Sequence, residues 1–144
     1  MTTSLNKDSK ISSLDLAFES IDSSFGYVDY ITAQIQKLIV QYNSGEIDQA
    51  NHSFVEVIEL MDLYIQLISR VYRVLRTDLQ GASFKDESVQ KLEIHLLSVM
   101  KALLQAKEKN DTIMLCDLLE YELADNLTQW KIKVLPELKK LKNY

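Results

Sequence analysis

The sequence predicts an all-α fold, a single antiparallel up-down-up-down four-helix bundle with long helices, and three observations carry that prediction. Apolar residues recur at alternating steps of three and four over most of the chain, which is the spacing of one helical face. Three glycines and one proline leave few places for the chain to break. No stretch alternates apolar and polar residues in the period of two that a half-buried strand requires. At 144 residues the chain is of single-domain size, large enough to bury a core of its own.

The elements follow in order after a polar stretch at residues 1–10, which reads as a disordered tail. The first helix spans about 11–43, with Leu14, Phe18, Ile21, Phe25, Val28, Ile35, Ile39 and Tyr42 in one stripe and Thr32 filling its polar slot. The stripe keeps its phase through Ser23, Ser24 and Gly26, so the helix reads as continuous, weakened by about 1 kcal/mol at the glycine. Asn43, Ser44 and Gly45 end it, because Asn and Gly enter the left-handed region that closes a helix.

The second helix, about 48–78, carries two apolar rows. Phe54, Ile58, Met61, Ile65, Ile68, Tyr72, Leu75 and Leu79 form one; Val57, Leu60, Tyr64, Leu67, Val71 and Val74 form the other. Together they cover about 160° of the helix, enough to face two neighbours. Glu56 and Glu59 come early on this helix and Arg70, Arg73 and Arg76 late, a polarity that matches the helix dipole.

Thr77 to Asp86 reads as a loop around Gly81. The third helix, about 86–109, has Val89, Leu92, Leu96, Val99, Leu103 and Ala106 in three-four spacing. Asp111 or Thr112 caps a fourth helix at about 111–142, whose stripe is Cys116, Leu119, Leu123, Leu127, Trp130, Val134, Leu138 and Leu141 at a period near 3.6. Pro136, which lacks a donor and crowds the preceding turn, is expected to kink or loosen its end.

Several function classes are excluded or disfavoured. A net charge of -5 opposes a phosphate backbone as principal ligand, so no nucleic acid is expected. No apolar run approaches the ~18 residues of a membrane span, and the polar start lacks a signal-peptide core. A single cysteine requires no oxidising compartment, and a cytoplasmic location fits.

No cofactor, metal site or catalytic residue is predicted. A di-iron bundle needs Glu-x-x-His pairs, which do not occur, and His52 and His95 are too few for zinc without cysteine support. His52 near a helix start reads as solvated, although Glu56 lies one turn on. His95, beside the third stripe, reads as a partly buried structural residue. Cys116 reads as a small hydrophobe, and Asp117, Glu120, Glu122 and Asp125 as a solvated face. Arg70, Arg73 and Arg76 read as a solvated helix end.

What remains is surface for a protein partner or for a second copy. Val57, Leu60, Tyr64, Leu67 and Val71 are the candidate partner-binding residues: their row either packs between two neighbouring helices or stays open as a groove or homodimer face. Val55, Leu63, Ile94, Leu97 and Tyr121 lie off the main stripes and hint at further contact area.

The layout of a long helix, the turn Tyr42 to Asn51 (YNSGEIDQAN), a long apolar helix and then Leu103 to Trp130 (LLQAKEKNDTIMLCDLLEYELADNLTQW) resembles bacterial flagellar export chaperones of the flagellin-binding type. Those are small helical bundles that hold an unpolymerised secreted subunit, so the resemblance implies a cytoplasmic, non-enzymatic, client-binding bundle. That family's N-terminal tyrosine and Ser-Pro segment are missing here. Leu115 to Trp130 equally resembles an uncharacterised family of small bacterial helical proteins, which implies no activity.

Overall fold

A computed structural model of the chain describes residues 12–79 and 87–143, and these form an all-α four-helix bundle. The helices are α1 (Ser13–Asn43), α2 (Ile47–Asp78), α3 (Glu87–Glu108) and α4, which runs over 112–143. The expected tail at 1–10 and most of the expected loop around Gly81 lie outside the described residues. Thr77 and Asp78 are still helical, with the Thr77 hydroxyl donating to the Arg73 carbonyl.

Ser12 caps α1 by accepting from the Asp15 amide, and Asp111 caps α4 by accepting from the Met114 amide. Such caps each contribute about 1 kcal/mol. Both described connections use one device. Glu46 N–H donates to Gln41 and Gly45 N–H to Tyr42, while Asp111 N–H donates to Ala106 and Asn110 N–H to Lys107. Each is a Schellman closure, with Gly45 and Asn110 holding the left-handed φ that the motif demands.

The two described glycines sit in opposite situations, and their substitutions should differ in sign. Gly26 is mid-helix, and a methyl group there would meet nothing within 4 Å. Gly26→Ala is expected to raise stability by about 0.5–1 kcal/mol, whereas Gly45→Ala, at φ +77°, should lower it by about 1–2 kcal/mol. Urea unfolding of both variants checks the pair.

The stripe assigned to α1 is buried or half-buried, but α1 also buries a second row, Ala17, Ser24, Ile31 and Leu38, at steps of seven. The single stripe therefore understated this helix. The row is hard to see because its first half is small: Ala17 is nearly featureless, and Ser24 is polar until its hydroxyl is satisfied by the Ser20 carbonyl at 2.6 Å. With two faces, α1 packs along α2 on one side and along α4 on the other. Asp29 pairs with Lys131 and Asp22 with Lys139, so these two helices run antiparallel.

In α2 the core stripe is Ala50, Phe54, Val57, Met61, Tyr64, Ile68, Val71 and Leu75, drawn alternately from both predicted rows. Ile58 and Ile65 form one half-buried edge, and Leu60, Leu67 and Val74 the other. Among the described residues this helix makes its main backbone approach to α1 and reaches the rest of the core chiefly through large side chains. Tyr64 meets Trp130 of α4 edge to face, with centroids 5.7 Å apart.

The fourth helix departs from regularity. Its buried residues Leu115, Leu119, Leu123 and Leu127 are four apart, then Trp130, Val134 and Leu138 likewise. In a regular α-helix each step of four drifts about 40° around the axis, so three steps would carry the row off its face. Two widened π-type turns, Leu118–Leu123 and Trp130–Val134, absorb the excess. Ala124 N–H donates to Leu119 and Leu135 N–H to Trp130, both five residues back. The period near 3.6 and the place given to Cys116 are thus corrected: Leu115 is buried and Cys116 only half-buried. The second wide turn ends two residues before Pro136 and so spans the turn its ring would crowd, and the helix continues through Leu135–Lys140.

Candidate functional site

Between α1 and α2 a groove of about 380 Å³ is walled by Tyr27 and Tyr30 from α1 and by Leu60, Leu63, Leu67 and Arg70 from α2, with Ile31 and Tyr64 at its floor. It exists because α2 turns its stripe toward the core centre. That leaves the Leu60–Leu67 edge beside α1 uncovered, and the tyrosines at 27 and 30 fall on the matching edge of α1. Leu63 is 61% and Tyr30 56% exposed, so the rim is apolar and open to solvent. Leucines with two tyrosines and one guanidinium suit an amphipathic protein surface: apolar area supplies affinity, and Tyr and Arg are the residues that dominate such contacts.

The five residues predicted from the second row divide. Val57, Tyr64 and Val71 are buried in the bundle core. Leu60, Tyr64 and Leu67 line the groove, so Val57 and Val71 are closed to a partner in this conformation. Tyr27 and Tyr30 were absent from the sequence reading because they flank the α1 stripe. A signal existed in their spacing of three and in the off-stripe Leu63. Val55, Leu63, Ile94, Leu97 and Tyr121 are all exposed. A second patch, of mixed character, gathers Ile113, Met114, Leu118 and Tyr121 with Asp111, Asp117 and Glu122 at the start of α4.

A polar cluster ties α3 to α4. Asn126, 1% exposed, donates through Nδ2 to the Leu92 carbonyl at 3.1 Å and to His95 Nδ1 at 3.0 Å. His95 Nε2 lies 2.8 Å from Glu122 Oε2. Since Nδ1 must accept, the imidazole proton belongs on Nε2, where it donates to the carboxylate. Glu122 is therefore no member of a merely solvated face, and His95, with a side chain 43% exposed, is less buried than expected. Asn126 escaped the sequence reading because Leu127 next to it continued the stripe, yet it stands three after Leu123 and four before Trp130, a core position. Both imidazole nitrogens are engaged, and the arrangement reads as a lock on the α3–α4 register.

Other candidates hold little chemistry. His52 is exposed, and among the described residues no cluster of three or more His, Cys, Asp or Glu side chains could hold a metal ion. Burial, Asp117 and Glu120 push the Cys116 thiol above its ordinary range, which keeps it protonated and weakly nucleophilic at neutral pH. Arg70, Arg73 and Arg76 are exposed. Among the described residues no helix is long and apolar enough to cross a membrane.

Tyr64 connects groove and core, and its buried hydroxyl has no hydrogen-bonding partner among the described residues. Burial, then Tyr72, raise its ionisation well above the ordinary tyrosine range. Tyr72 is raised as well, by burial and by the Glu93 carboxylate. These groups stay neutral in the fold while the unfolded chain loses its protons near pH 10, so their contribution is complete below pH 10 and declines as pH rises beyond it. Tyr64→Phe keeps the ring on Trp130 and removes an unsatisfied hydroxyl. We expect it to match or exceed the parent by up to about 1 kcal/mol at pH 7. Its advantage should grow by about 1.4 kcal/mol for each pH unit above 10, as read by urea unfolding at pH 7 and 11.

A family model described as a domain of unknown function (DUF8042) matches residues 19–133, which reach from α1 into the second wide turn of α4 and include the whole groove and the Asn126 cluster. No curated protein and no solved structure matches the chain.

Proposed function

The chain belongs to the DUF8042 family, and from that membership, which carries no activity with it, we propose that it is a non-enzymatic protein-interaction module whose α1–α2 groove takes an amphipathic helical segment of a protein. The observation that supports this reading is the groove itself: largely apolar, open and rimmed by Tyr27, Tyr30, Leu63 and Arg70. A helix laid in it would offer apolar residues at i, i+3, i+4 and i+7 to those side chains. A cytoplasmic, chaperone-like bundle of the kind the flagellar export chaperones represent is one form of this activity, and self-association is another. In either form the bundle core stays intact and the contact is made at its edge.

The test is light scattering after size exclusion, together with binding of a hydrophobic dye, on the parent chain and on Leu63→Asp. The parent is expected to bind dye or to self-associate, and Leu63→Asp, at an exposed position, should lose that property while keeping its helical circular dichroism and stability within about 0.5 kcal/mol. A parent that is strictly monomeric, dye-silent and free of co-purifying protein overturns the reading.

A further inference from the structure

The groove face of α2 has a charge order that identifies what fits it. Glu56, Leu63 and Arg70 are spaced by seven and so share one face, drifting only about 20° per step. Glu59 stands one turn before Leu63 and Leu67 one turn after it. The acidic half of this face thus lies on one side of Leu63 and the basic half on the other, at equal distances. Among the described residues neither Glu56 nor Arg70 forms an ion pair within the chain. Both are exposed.

A two-fold axis through Leu63 maps such a face onto its own complement, because in an isologous contact a residue i that meets residue j of the second copy is matched by j meeting i, and only the residue on the axis meets its own counterpart. We infer that the occupant of the groove is α2 of a second copy of this chain, antiparallel, with Leu63 against Leu63 and Glu56 against Arg70 twice over. The inference rests on the groove reading above and narrows it. In this pairing the two Leu63 side chains cover part of the apolar rim of each copy, Leu67 lies along the aliphatic stem of the second copy's Glu59, and Tyr27 and Tyr30 close over the incoming helix from the α1 side. A parallel arrangement would place Glu56 on Glu56 and Arg70 on Arg70, which like charges oppose, so the charge order selects the antiparallel form. The chain's net charge of -5 makes unpaired approach of two copies unfavourable at long range, which leaves the matched ends to set the register.

Sedimentation velocity at about 100 μM protein, above the roughly micromolar constant of the weakest standard-size interfaces, decides it. The parent should be dimeric. Arg70→Glu and Glu56→Arg should each weaken the dimer about tenfold or more, since each puts like charges together at two symmetric places. An equimolar mixture of the two variants should regain the dimer as a heterodimer, and the double variant should regain it as a homodimer. Circular dichroism confirms that each exposed substitution leaves the fold intact. A monomeric parent overturns the inference, as does a dimer that neither substitution affects or a mixture that does not re-form. If the parent is monomeric while Leu63→Asp still abolishes dye binding, self-pairing falls and the groove reading stands; if the monomer is also dye-silent and free of co-purifying protein, both fall.

Discussion

Removing Glu120 from the chain is expected to leave the bundle folded, within about 1 kcal/mol of the parent, while removing Gln36 should unfold it. Both residues are exposed, and neither deletion takes away a core side chain. The difference lies in helical phase. In α1 a deletion at 36 rotates Phe18 to Ile35 by about 100° relative to Leu38, Ile39 and Tyr42, so one half of the buried stripe must turn toward solvent. Several large side chains would lose their burial together, each about 2–3 kcal/mol, more than a small domain's whole margin of stability. In α4 the wide turn over Leu118–Leu123 already holds one residue more than a regular turn. Without Glu120 the spacing from Leu115 through Leu127 becomes four, three and four, which a regular α-helix keeps on one face. Thermal unfolding of the two deletion variants reads the contrast directly. A severe loss on removing Glu120 would show that the wide turn does something beyond absorbing the period of the leucines.

Leu38→Ala should cost about 3 kcal/mol, within the 2–5 kcal/mol range of leucine truncations in packed cores. Leu38 is fully buried in the second row of α1, the row that brings this helix against two neighbours. Val40, two residues on, is exposed, and its replacement by Ala should change stability by less than about 0.5 kcal/mol. Chemical denaturation of the two variants separates a two-faced α1 from a one-faced one: with a single stripe, Leu38 would behave like Val40. The midpoint should shift without a change in slope, since neither substitution alters how much surface unfolding exposes.

Much of the fold is legible in the sequence because helix phase, caps and turn residues are local. The three-four stripe of α3 and the first stripe of α1 follow from period alone, and the closure at Gly45 from a residue that tolerates positive φ, whereas the matching closure at Asn110 emerged only from the structure. In α4 the residue identities were readable but their geometry was not. Steps of four are compatible with a drifting α-helix until packing against α3 and α1 requires that row to stay on one face. Asn126 shows the same limit for polarity, since its value depends on the Leu92 carbonyl and His95, which lie 34 and 31 positions away in the chain.

The candidate site divides along the same line. By itself the sequence determined that α2 has more apolar surface than one stripe, that its acids precede its arginines, and that Leu63 stands apart from the core pattern, because composition and spacing fix what a helix can offer. Only the tertiary structure decided which part of that surface is buried. The rotation of α2 about its axis is set by Tyr64 meeting Trp130 and by the close approach of α1, contacts between residues far apart in sequence, and it takes Val57 and Val71 inward while leaving Leu60, Leu63 and Leu67 beside Tyr27 and Tyr30 at an open groove.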